Sequence, residues 1–345
     1  VATGCKENAP ALMEQSFSIF HGKKALVTGG MGFIGSNLAL RLHKLGARVI
    51  VIDTLNPHYG GNRFNLAAIK DQIEIHIADI GDEQKVSGIV PQVEFIFNLA
   101  GQVSHIDSMT DPLHDLEVNA ASHLSLVEMC RKLNPEVKIV YSGTRQVYGI
   151  PQSLPVDETH PVAPIDYNGI SKMAGEWYHL VAQRTYGLRV TSLRMTNVYG
   201  PRMRVRDARK TFIGDWFRRL VEGRELQVFG SGEQIRDLNY VEDVVDALLL
   251  VAANPASDGK IYNLGGDERV SLAELAQLMI ELNGSGKYRL VPFPPARKRI
   301  DIGDYYGNYA KIRQEIGWQP QTSLRAGILL TLAYYREHQQ HYWRP

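Results

Sequence analysis

The chain has 345 residues, which is more than one compact core usually holds, so we expect a large domain with a smaller one packed on it. Its formal net charge is +1, which argues against nucleic acid or a membrane as the partner. Its two cysteines, Cys5 and Cys130, fit a reducing compartment and supply neither a disulfide framework nor a zinc site, and we expect no metal. Residues 1–22 are polar rather than signal-like, so we expect an N-terminal extension and a cytoplasmic protein.

The first predicted strand, Ala25–Thr28, runs directly into three glycines spaced three apart. Apolar residues with helical spacing follow them, so the glycines lie in a strand-to-helix turn. Such a turn needs glycine for its tightness, for the close approach of a pyrophosphate and for the packing of the helix on the strand. The three residues are Gly29, Gly32 and Gly35.

The second predicted strand, residues 47–53, ends in Asp53, about twenty residues beyond the turn. A carboxylate at this position accepts hydrogen bonds from the hydroxyls of a ribose, and it would repel a 2′-phosphate. The sequence therefore predicts a dinucleotide site that takes NAD rather than NADP.

Strands and helical segments continue to alternate along the chain, which predicts a parallel sheet with helices on both faces. The later predicted strands are residues 73–80, 94–100, 138–142 and 189–199, with a long helix over 112–133. We expect a Rossmann-type, doubly wound α/β domain over residues 23–190, to which part of 235–265 returns. Residues 191–345 then form mainly a smaller, interleaved substrate domain, with the substrate in the cleft between them.

Several short segments after the glycine turn match one family of enzymes. They are Ala78–Ile80, Asn98–Gln102, Val140–Gly149, Asn197–Pro201, Val228–Asp237 and Gly317–Pro320. From Lys23 to the C-terminal helix, the chain resembles the extended short-chain dehydrogenases/reductases that act on nucleotide-diphosphate sugars, namely epimerases, dehydratases and decarboxylases. The resemblance implies an enzyme with NAD as cofactor and a nucleotide-diphosphate sugar as substrate.

The resemblance also implies which residues form the two binding sites. The implied NAD contacts are Gly29, Gly32, Phe33, Ile34, Gly35, Asp53, Asp79, Ile80, Leu99, Ala100 and Lys172. The implied substrate contacts are Asn168, Asn197, Arg236, Arg299 and Asp301, and Arg145 is a further candidate because of its own charge rather than the resemblance. Among these, Asn197 and Arg236 match positions that hold the diphosphate, a role that suits a bidentate guanidinium.

The catalytic lysine of the family lies four residues after a tyrosine, whose pKa it lowers so that the phenol can take the substrate proton. Lys172 matches the lysine, but Asn168 stands four residues before it and Tyr167 stands five before it. Five residues turn a helix by about 500°, so the side chains of Tyr167 and Lys172 diverge by about 140°. Either a bent helix start brings the phenol back, or Asn168 replaces the base. The matching register of the residues that follow favours replacement.

An amide cannot act as a general base at neutral pH. If Asn168 replaces the tyrosine, then Tyr167, His105 or Lys172 must take the proton, or no oxidation occurs.

The end of the fifth strand indicates which reaction is catalysed. Thr144 matches the family residue whose hydroxyl binds the reacting substrate oxygen. Dehydratases of the family carry Asp-Glu after it and the decarboxylases a Glu, whereas this chain has Arg145 and Gln146. Without that carboxylate, epimerisation through a transient keto sugar, as in UDP-glucose 4-epimerase, is the best-supported reaction. Arg145 either binds a substrate carboxylate or phosphate, or pairs with Asp157 or Glu158.

The sequence is also compatible with other hypotheses for the function. The chain could be another NAD-dependent sugar-nucleotide oxidoreductase, a C2 epimerase or dehydratase, or a binding protein that has lost catalysis. A basic stretch either extends the anion site or is merely solvated: Arg202, Arg204, Arg206, Arg209 and Lys210. The helices over 112–133 and 169–186 correspond to those that form a four-helix dimer interface in similar proteins. We therefore expect a homodimer, unless their apolar residues all face the sheet.

Overall fold

The computed structural model describes residues 15–206 and 211–343. Most of the expected N-terminal extension, with Cys5, and the basic residues Arg209 and Lys210 lie outside the described residues. The strands are β1 (Lys24–Thr28), β2 (Arg48–Asp53), β3 (Glu74–Ile77), β4 (Phe95–Asn98), β5 (Lys138–Thr144), β6 (Arg189–Met195), β7 (Val198–Tyr199), β8 (Leu226–Phe229), β9 (Ile235–Asp237), β10 (Asn239–Tyr240), β11 (Lys260–Asn263), β12 (Arg269–Ser271) and β13 (Tyr288–Val291).

The helices flank these strands along the chain. They are α1 (Phe33–Lys44), α2 (Glu83–Val86), α3 (His105–Thr110), α4 (Pro112–Leu116), α5 (Ser122–Leu133), α6 (Tyr167–Tyr186), α7 (Phe212–Val221), α8 (Val241–Ala253), α9 (Leu272–Asn283), α10 (Pro295–Lys298), α11 (Ala310–Ile316) and α12 (Leu324–Tyr342). A π-helical turn, Glu117–Ala121, joins α4 to α5, and a 3₁₀ turn, Arg145–Tyr148, follows β5.

Seven strands form one parallel sheet in the order β11-β6-β5-β4-β1-β2-β3. Successive side chains of a strand point to opposite faces, and β1 uses both. Ala25 and Val27 pack in one core with α1 and α8, whereas Leu26 packs in another with α5. The predicted doubly wound parallel sheet is therefore confirmed.

The chain leaves this sheet and later returns to it. Strand β6 extends to Met195, five residues beyond the boundary expected at 190. After the excursion, α8 packs its apolar residues against the sheet and β11 pairs with β6 as the edge strand.

A separate hydrophobic core lies outside the sheet. Trp216 and Phe217 of α7, Leu275 of α9, and Ile328 and Tyr335 of α12 are buried together in it. This core gives the cleft its second wall, since residues of α7 and of the segment after β13 line the cleft opposite the sheet.

Several predicted elements differ from the structure in their bounds, and the strand predicted over 73–80 is only Glu74–Ile77. The strand predicted over 94–100 ends at Asn98, because the N–H groups of Leu99 and Ala100 turn to the Thr28 hydroxyl, each at 3.0 Å. The strand predicted over 189–199 breaks after Met195, and β7 then pairs with β10. The helix predicted over 112–133 is continuous but includes the π turn.

Candidate active site

A cleft of about 630 Å³ lies at the carboxyl ends of β1, β2, β4, β5 and β6. Ligands of doubly wound sheets bind at this edge, outside the ends of the strands. All eleven residues implied as NAD contacts line this one cleft, from Gly29 to Lys172.

The glycine turn is shaped so that backbone, rather than side chains, faces the cleft. Gly29 has φ +64°, and a Cβ there would lie 2.9 Å from the carbonyl oxygen of Leu99. A Cβ on Gly35 would lie only 2.3 Å from the carbonyl oxygen of Gly29. Gly32 begins α1 without any side-chain cap, which leaves helix N–H groups for an anion. The turn therefore fits the pyrophosphate of a dinucleotide.

Asp53 lies at the end of β2 and is 9% exposed. Its Oδ2 accepts the N–H of Met31 at 2.9 Å, and its Oδ1 accepts the N–H of Leu55 at 2.7 Å. Burial raises the pKa of this carboxyl. Each oxygen has a second lone pair, so the carboxylate can still accept from a ribose hydroxyl in the cleft.

Helix α6 determines which residue lies beside the lysine. Asp166 caps the helix, because its Oδ1 accepts the N–H of Gly169 at 2.7 Å. Asn168 and Lys172 are buried one turn apart and both line the cleft. Tyr167 is 46% exposed and is not among the residues that line the cleft. The bent helix start considered for Tyr167 is wrong, because α6 already begins at Tyr167 and carries its side chain outward.

Asn168 is held by two hydrogen bonds. Its Nδ2 donates to the carbonyl oxygen of Gln102 at 3.0 Å and to Oδ1 of Asp115 at 2.9 Å. The same Asp115 oxygen accepts from Gln102 and Asn119, so the amide orientation is fixed by a buried network. The Asn168 Oδ1 is buried and has no hydrogen-bond partner among the described residues. It can therefore accept a hydrogen bond from a ligand.

Lys172 lies beside this network. Burial lowers the pKa of its ammonium to about 8, and the Asp115 carboxylate opposes that effect. At neutral pH most molecules therefore carry a charged Lys172, which donates hydrogen bonds and attracts negative charge. The sequence did not single out Asp115, since no local motif marks a residue whose partners come from other segments.

Thr144 ends β5 at the cleft. Its Oγ1 accepts the N–H of Gln146 at 3.2 Å and so caps the 3₁₀ turn. A threonine hydroxyl can also donate one hydrogen bond, and no acceptor for it is present among the described residues. Thr144 can thus cap the turn and bind a substrate oxygen at the same time.

The opposite end of the cleft is rich in guanidinium groups. Arg236 donates to the carbonyl oxygens of Ile235 and Gly303, and it lies 3.7 Å from a carboxylate oxygen of Asp301. Burial, and then the charge of Arg145, lower the pKa of Arg236 to about 10. Two like charges that interact across the cleft favour the binding of an anion.

The remaining implied substrate residues divide between the cleft and the surface. Asn197 lines the cleft and donates to the carbonyl oxygen of Asp237 at 2.9 Å. Asp301 also lines the cleft, but Arg299 is exposed and lies outside its lining. Arg297, two residues earlier, lines the cleft with its guanidinium 5.2 Å from the ring centroid of Phe229. Arg297 and Arg299 differ in the direction of their side chains. The spacing of residues in the sequence does not reveal which of the two faces the cleft.

Arg145 also faces the cleft. Its guanidinium lies 4.9 Å from the ring centroid of Tyr305, and burial lowers its pKa. The alternative pairing with Asp157 or Glu158 is wrong, because Asp157 accepts from Thr159 and Glu158 accepts the N–H of Asn263. Arg145 therefore has its hydrogen-bond donors available for a ligand.

The basic stretch contributes little else to the cleft within the described residues. Arg202 donates to Asn37 and Arg206 donates to the carbonyl oxygen of Tyr342, whereas Arg204 lines the cleft. Cys130 is buried in α5, and burial raises the pKa of its thiol to about 12. In the described part of the chain, no helix is long and apolar enough to cross a membrane.

Known proteins resemble this chain over most of its length. Residues 25–265 match the model of the NAD dependent epimerase/dehydratase family. A UDP-glucose 4-epimerase of Mycolicibacterium smegmatis is 32% identical over 322 residues, which cover 92% of this chain and 100% of the relative.

Two solved structures have the same fold. One is an epimerase from Methanothermobacter thermautotrophicus, with a TM-score of 0.88, 26% identity, and coverage of 95% of this chain and 96% of that one. The other is a Thermotoga maritima UDP-glucose 4-epimerase with UDP-glucose, with a TM-score of 0.83, 33% identity, and coverage of 92% and 99%. The chain therefore belongs to the NAD dependent epimerase/dehydratase family, is an enzyme, and uses NAD as its cofactor.

Proposed function

We propose that this protein interconverts two nucleotide-diphosphate sugars that differ at one carbon, as UDP-glucose 4-epimerase does, through a transient keto sugar. The observation that carries the proposal is the convergence of Thr144, Asn168 and Lys172 with the NAD residues in one cleft. NAD supplies the chemistry of accepting a hydride from the sugar carbon and returning it.

The protein's own residues have distinct roles in this proposal. Thr144 donates a hydrogen bond to the oxygen that becomes the carbonyl. The buried ammonium of Lys172 stabilises negative charge that develops on that oxygen and binds a ribose hydroxyl. Asn197, Arg236 and Arg145 bind the anionic part of the substrate at the other end of the cleft.

Epimerisation is favoured over dehydration or decarboxylation by the residues after Thr144. Those reactions exchange a proton with carbon or lose a carboxylate, and in similar enzymes a carboxylate follows the threonine. Here Arg145 and Gln146 occupy these two positions, and neither a guanidinium nor an amide can take the place of that carboxylate.

The test uses purified protein that retains NAD, incubated with a panel of UDP, dTDP, GDP and CDP sugars without added NAD. We expect reversible interconversion of one pair of sugars with no net consumption of the cofactor. Stoichiometric reduction of added NAD would instead identify a dehydrogenase. No interconversion of any sugar in the panel contradicts the proposal.

A second candidate is a binding protein that no longer catalyses oxidation, and Asn168 at the tyrosine position favours it. Its mark would be tight binding of a sugar nucleotide with no transient NADH absorbance on mixing. The experiment above separates the two candidates on one sample.

We also propose that the working form is a homodimer in the cytoplasm. Exposed apolar side chains cover one side of α6, and others lie on the neighbouring α4 and α5. They are Tyr167, Ile170, Trp177, Tyr178 and Val181 on α6, with Leu113, Leu116 and Leu124. A second copy would cover both sets at once. The cytoplasmic location is supported by the low number of cysteines.

A further inference from the structure

The proposed reaction needs a group that takes a proton from the sugar hydroxyl as the carbonyl forms. The family's tyrosine is absent from the cleft, because Tyr167 faces outward and Asn168 faces inward. An amide cannot take this proton. If the protein catalyses the proposed function, on which this assignment rests, another group in the cleft must take the proton.

His105 lines the cleft at the first turn of α3 and is oriented by a buried carboxylate. Its Nδ1 is hydrogen-bonded to Oδ2 of Asp166, whose side chain is 3% exposed. The other oxygen of Asp166 accepts the N–H of Gly169, so the start of α6 fixes the carboxylate. The side chain of His105 is 33% exposed, which leaves its far edge open to the cleft.

This arrangement determines the tautomer of the ring. A carboxylate can only accept hydrogen bonds, so Nδ1 of His105 carries the proton and Nε2 of the neutral ring carries a lone pair. Burial raises the pKa of Asp166, but the hydrogen bond from His105 and the N–H of Gly169 outweigh it and hold the pKa below its ordinary value. Asp166 is therefore ionised at neutral pH and holds the His105 ring in this orientation.

The lone pair of His105 points toward the reacting end of the cleft. Its Nε2 lies 2.7 Å from the amide nitrogen of Gln146, whose backbone N–H is bound by Thr144. The Gln146 Oε1 is buried without a partner among the described residues, so no second hydrogen bond holds this amide in place. A sugar hydroxyl bound by Thr144 can displace the amide and reach Nε2.

We propose that His105 is the general base of the oxidation and Asp166 is its positioning residue. The O–H bond of the sugar hydroxyl breaks and its proton passes to Nε2, while the C–H electron pair leaves as hydride to the nicotinamide and the C=O bond forms. On the return step, hydride adds to the other face of the carbonyl and His105 gives the proton back. No further oxidant or reductant is consumed.

Lys172 is the alternative base in the same cleft. Its pKa of about 8 leaves it mostly protonated at neutral pH, and a protonated amine has no lone pair to accept with. It also lacks a carboxylate within ion-pairing distance among the described residues, whereas His105 has Asp166. In this arrangement Lys172 stabilises negative charge on the substrate oxygen, and His105 accepts the proton from the sugar hydroxyl.

The test replaces His105 by asparagine in the NAD-loaded enzyme. His105→Asn keeps an N–H for Asp166 but removes the proton acceptor, so we expect kcat to fall about 100- to 10,000-fold. KM, bound NAD and the melting temperature should stay near those of the wild type. Asp166→Asn keeps an oxygen to cap α6 and should lower kcat with little change in KM. His105→Gln is a second variant in case His105→Asn does not fold.

The matched control is His76→Asn, which removes a histidine paired with a carboxylate, Glu74, outside the cleft. It should leave kcat unchanged. The ¹⁵N NMR spectrum of the histidines is a measurement that does not depend on turnover. The Nε2 resonance of His105 is assigned as the one that His105→Asn removes, and we expect it to shift when the substrate binds.

Three results are distinguishable. If the wild type interconverts sugars and both His105 variants do so at the wild-type rate, the base is another group and this proposal is overturned. An Nε2 resonance of His105 that does not move on substrate binding also overturns it. If the wild type itself interconverts nothing, the proposed function fails first, and the assignment of the base fails with it.

Discussion

At residue 168 the protein has an amide where the family resemblance predicts a phenol, and its surroundings suit an amide. The two hydrogen bonds from Asn168 Nδ2 go to Gln102 and to a carboxylate, Asp115, that is 1% exposed. A side chain at 168 without this donor would leave the buried carboxylate less satisfied. An unsatisfied buried polar group lowers the free energy of unfolding by about 1–3 kcal/mol, and a charged group lowers it by more. Asn168 therefore belongs to a buried hydrogen-bond network with Gln102 and Asp115, and it is not an isolated replacement.

The neighbouring residue provides the first prediction. Tyr167→Phe removes only a hydroxyl that lies outside the cleft, so kcat for sugar interconversion should equal that of the wild type. Lys172→Met, which removes the buried ammonium, should lower kcat severely in the same assay. A large loss of turnover in Tyr167→Phe would return the catalytic role to that phenol.

Arg145 gives a second prediction at this scale. Its guanidinium is held over the Tyr305 ring, and no carboxylate of the described residues lies within ion-pairing distance of it, so it is available for an anionic group of the substrate. Arg145→Met should raise KM for the sugar nucleotide roughly 10- to 100-fold, the effect of losing a hydrogen bond to a charged group. Arg299→Gln, on the exposed side of the same wall, should leave KM unchanged. Equal effects of the two variants would contradict this assignment.

Helix α6 has three faces with different roles. Asn168 and Lys172 face the cleft, whereas Trp177 and Val181 are exposed on the outer side. The third face packs against the sheet, where the ring centroid of His179 lies 4.6 Å from that of Tyr141 on β5. A shift of α6 would therefore disturb the site, the outer surface and the core together.

The buried histidines behind α6 predict sensitivity to acid. The amide nitrogen of Asn98 lies 2.9 Å from Nδ1 of His123 and 3.1 Å from Nε2 of His179, so both rings use a lone pair that a proton would remove. Burial lowers the pKa of His179 to about 4, and it also lowers that of His123 well below the ordinary value.

Between the ordinary histidine pKa of 6.5 and about 4, the unfolded chain binds a proton at His179 that the folded chain does not bind. The free energy of unfolding should therefore fall as the pH falls through this range, by about 3 kcal/mol from His179 alone. Urea denaturation at a series of pH values measures this slope. His179→Gln cannot bind the proton and should flatten the slope, and an unchanged slope would show that His179 is protonated in the folded protein.

Local patterns in the sequence predicted the sheet and the NAD site. The glycine turn, Asp53 and the alternation of strands and helices each depend on residues close in sequence, and the parallel sheet is as expected. The Asp166–His105 pair joins residues 61 apart, and the bond from Asn168 to Asp115 joins residues 53 apart. Such contacts depend on how helices pack over the cleft, which no local spacing encodes.

Another property of the whole molecule is the exposed apolar surface of α4, α5 and α6. Its exposed aromatic and branched side chains are grouped on these three neighbouring helices, so we expect a dimer through this surface in solution. Val181→Glu places a carboxylate at its centre, and burying that charge without a partner is strongly unfavourable. The variant should therefore be monomeric in light scattering or analytical ultracentrifugation.

The matched control for the dimer is Leu330→Glu, which places the same charge at an exposed leucine of α12. It should remain dimeric, and both variants should retain bound NAD, since neither residue lines the cleft. A dimer that survives Val181→Glu but dissociates with Leu330→Glu would place the interface on α12. A wild type that is monomeric throughout the micromolar range would contradict the predicted dimer. The exposed apolar side of α6 would then be expected to bind a different partner, because its contact with water is unfavourable.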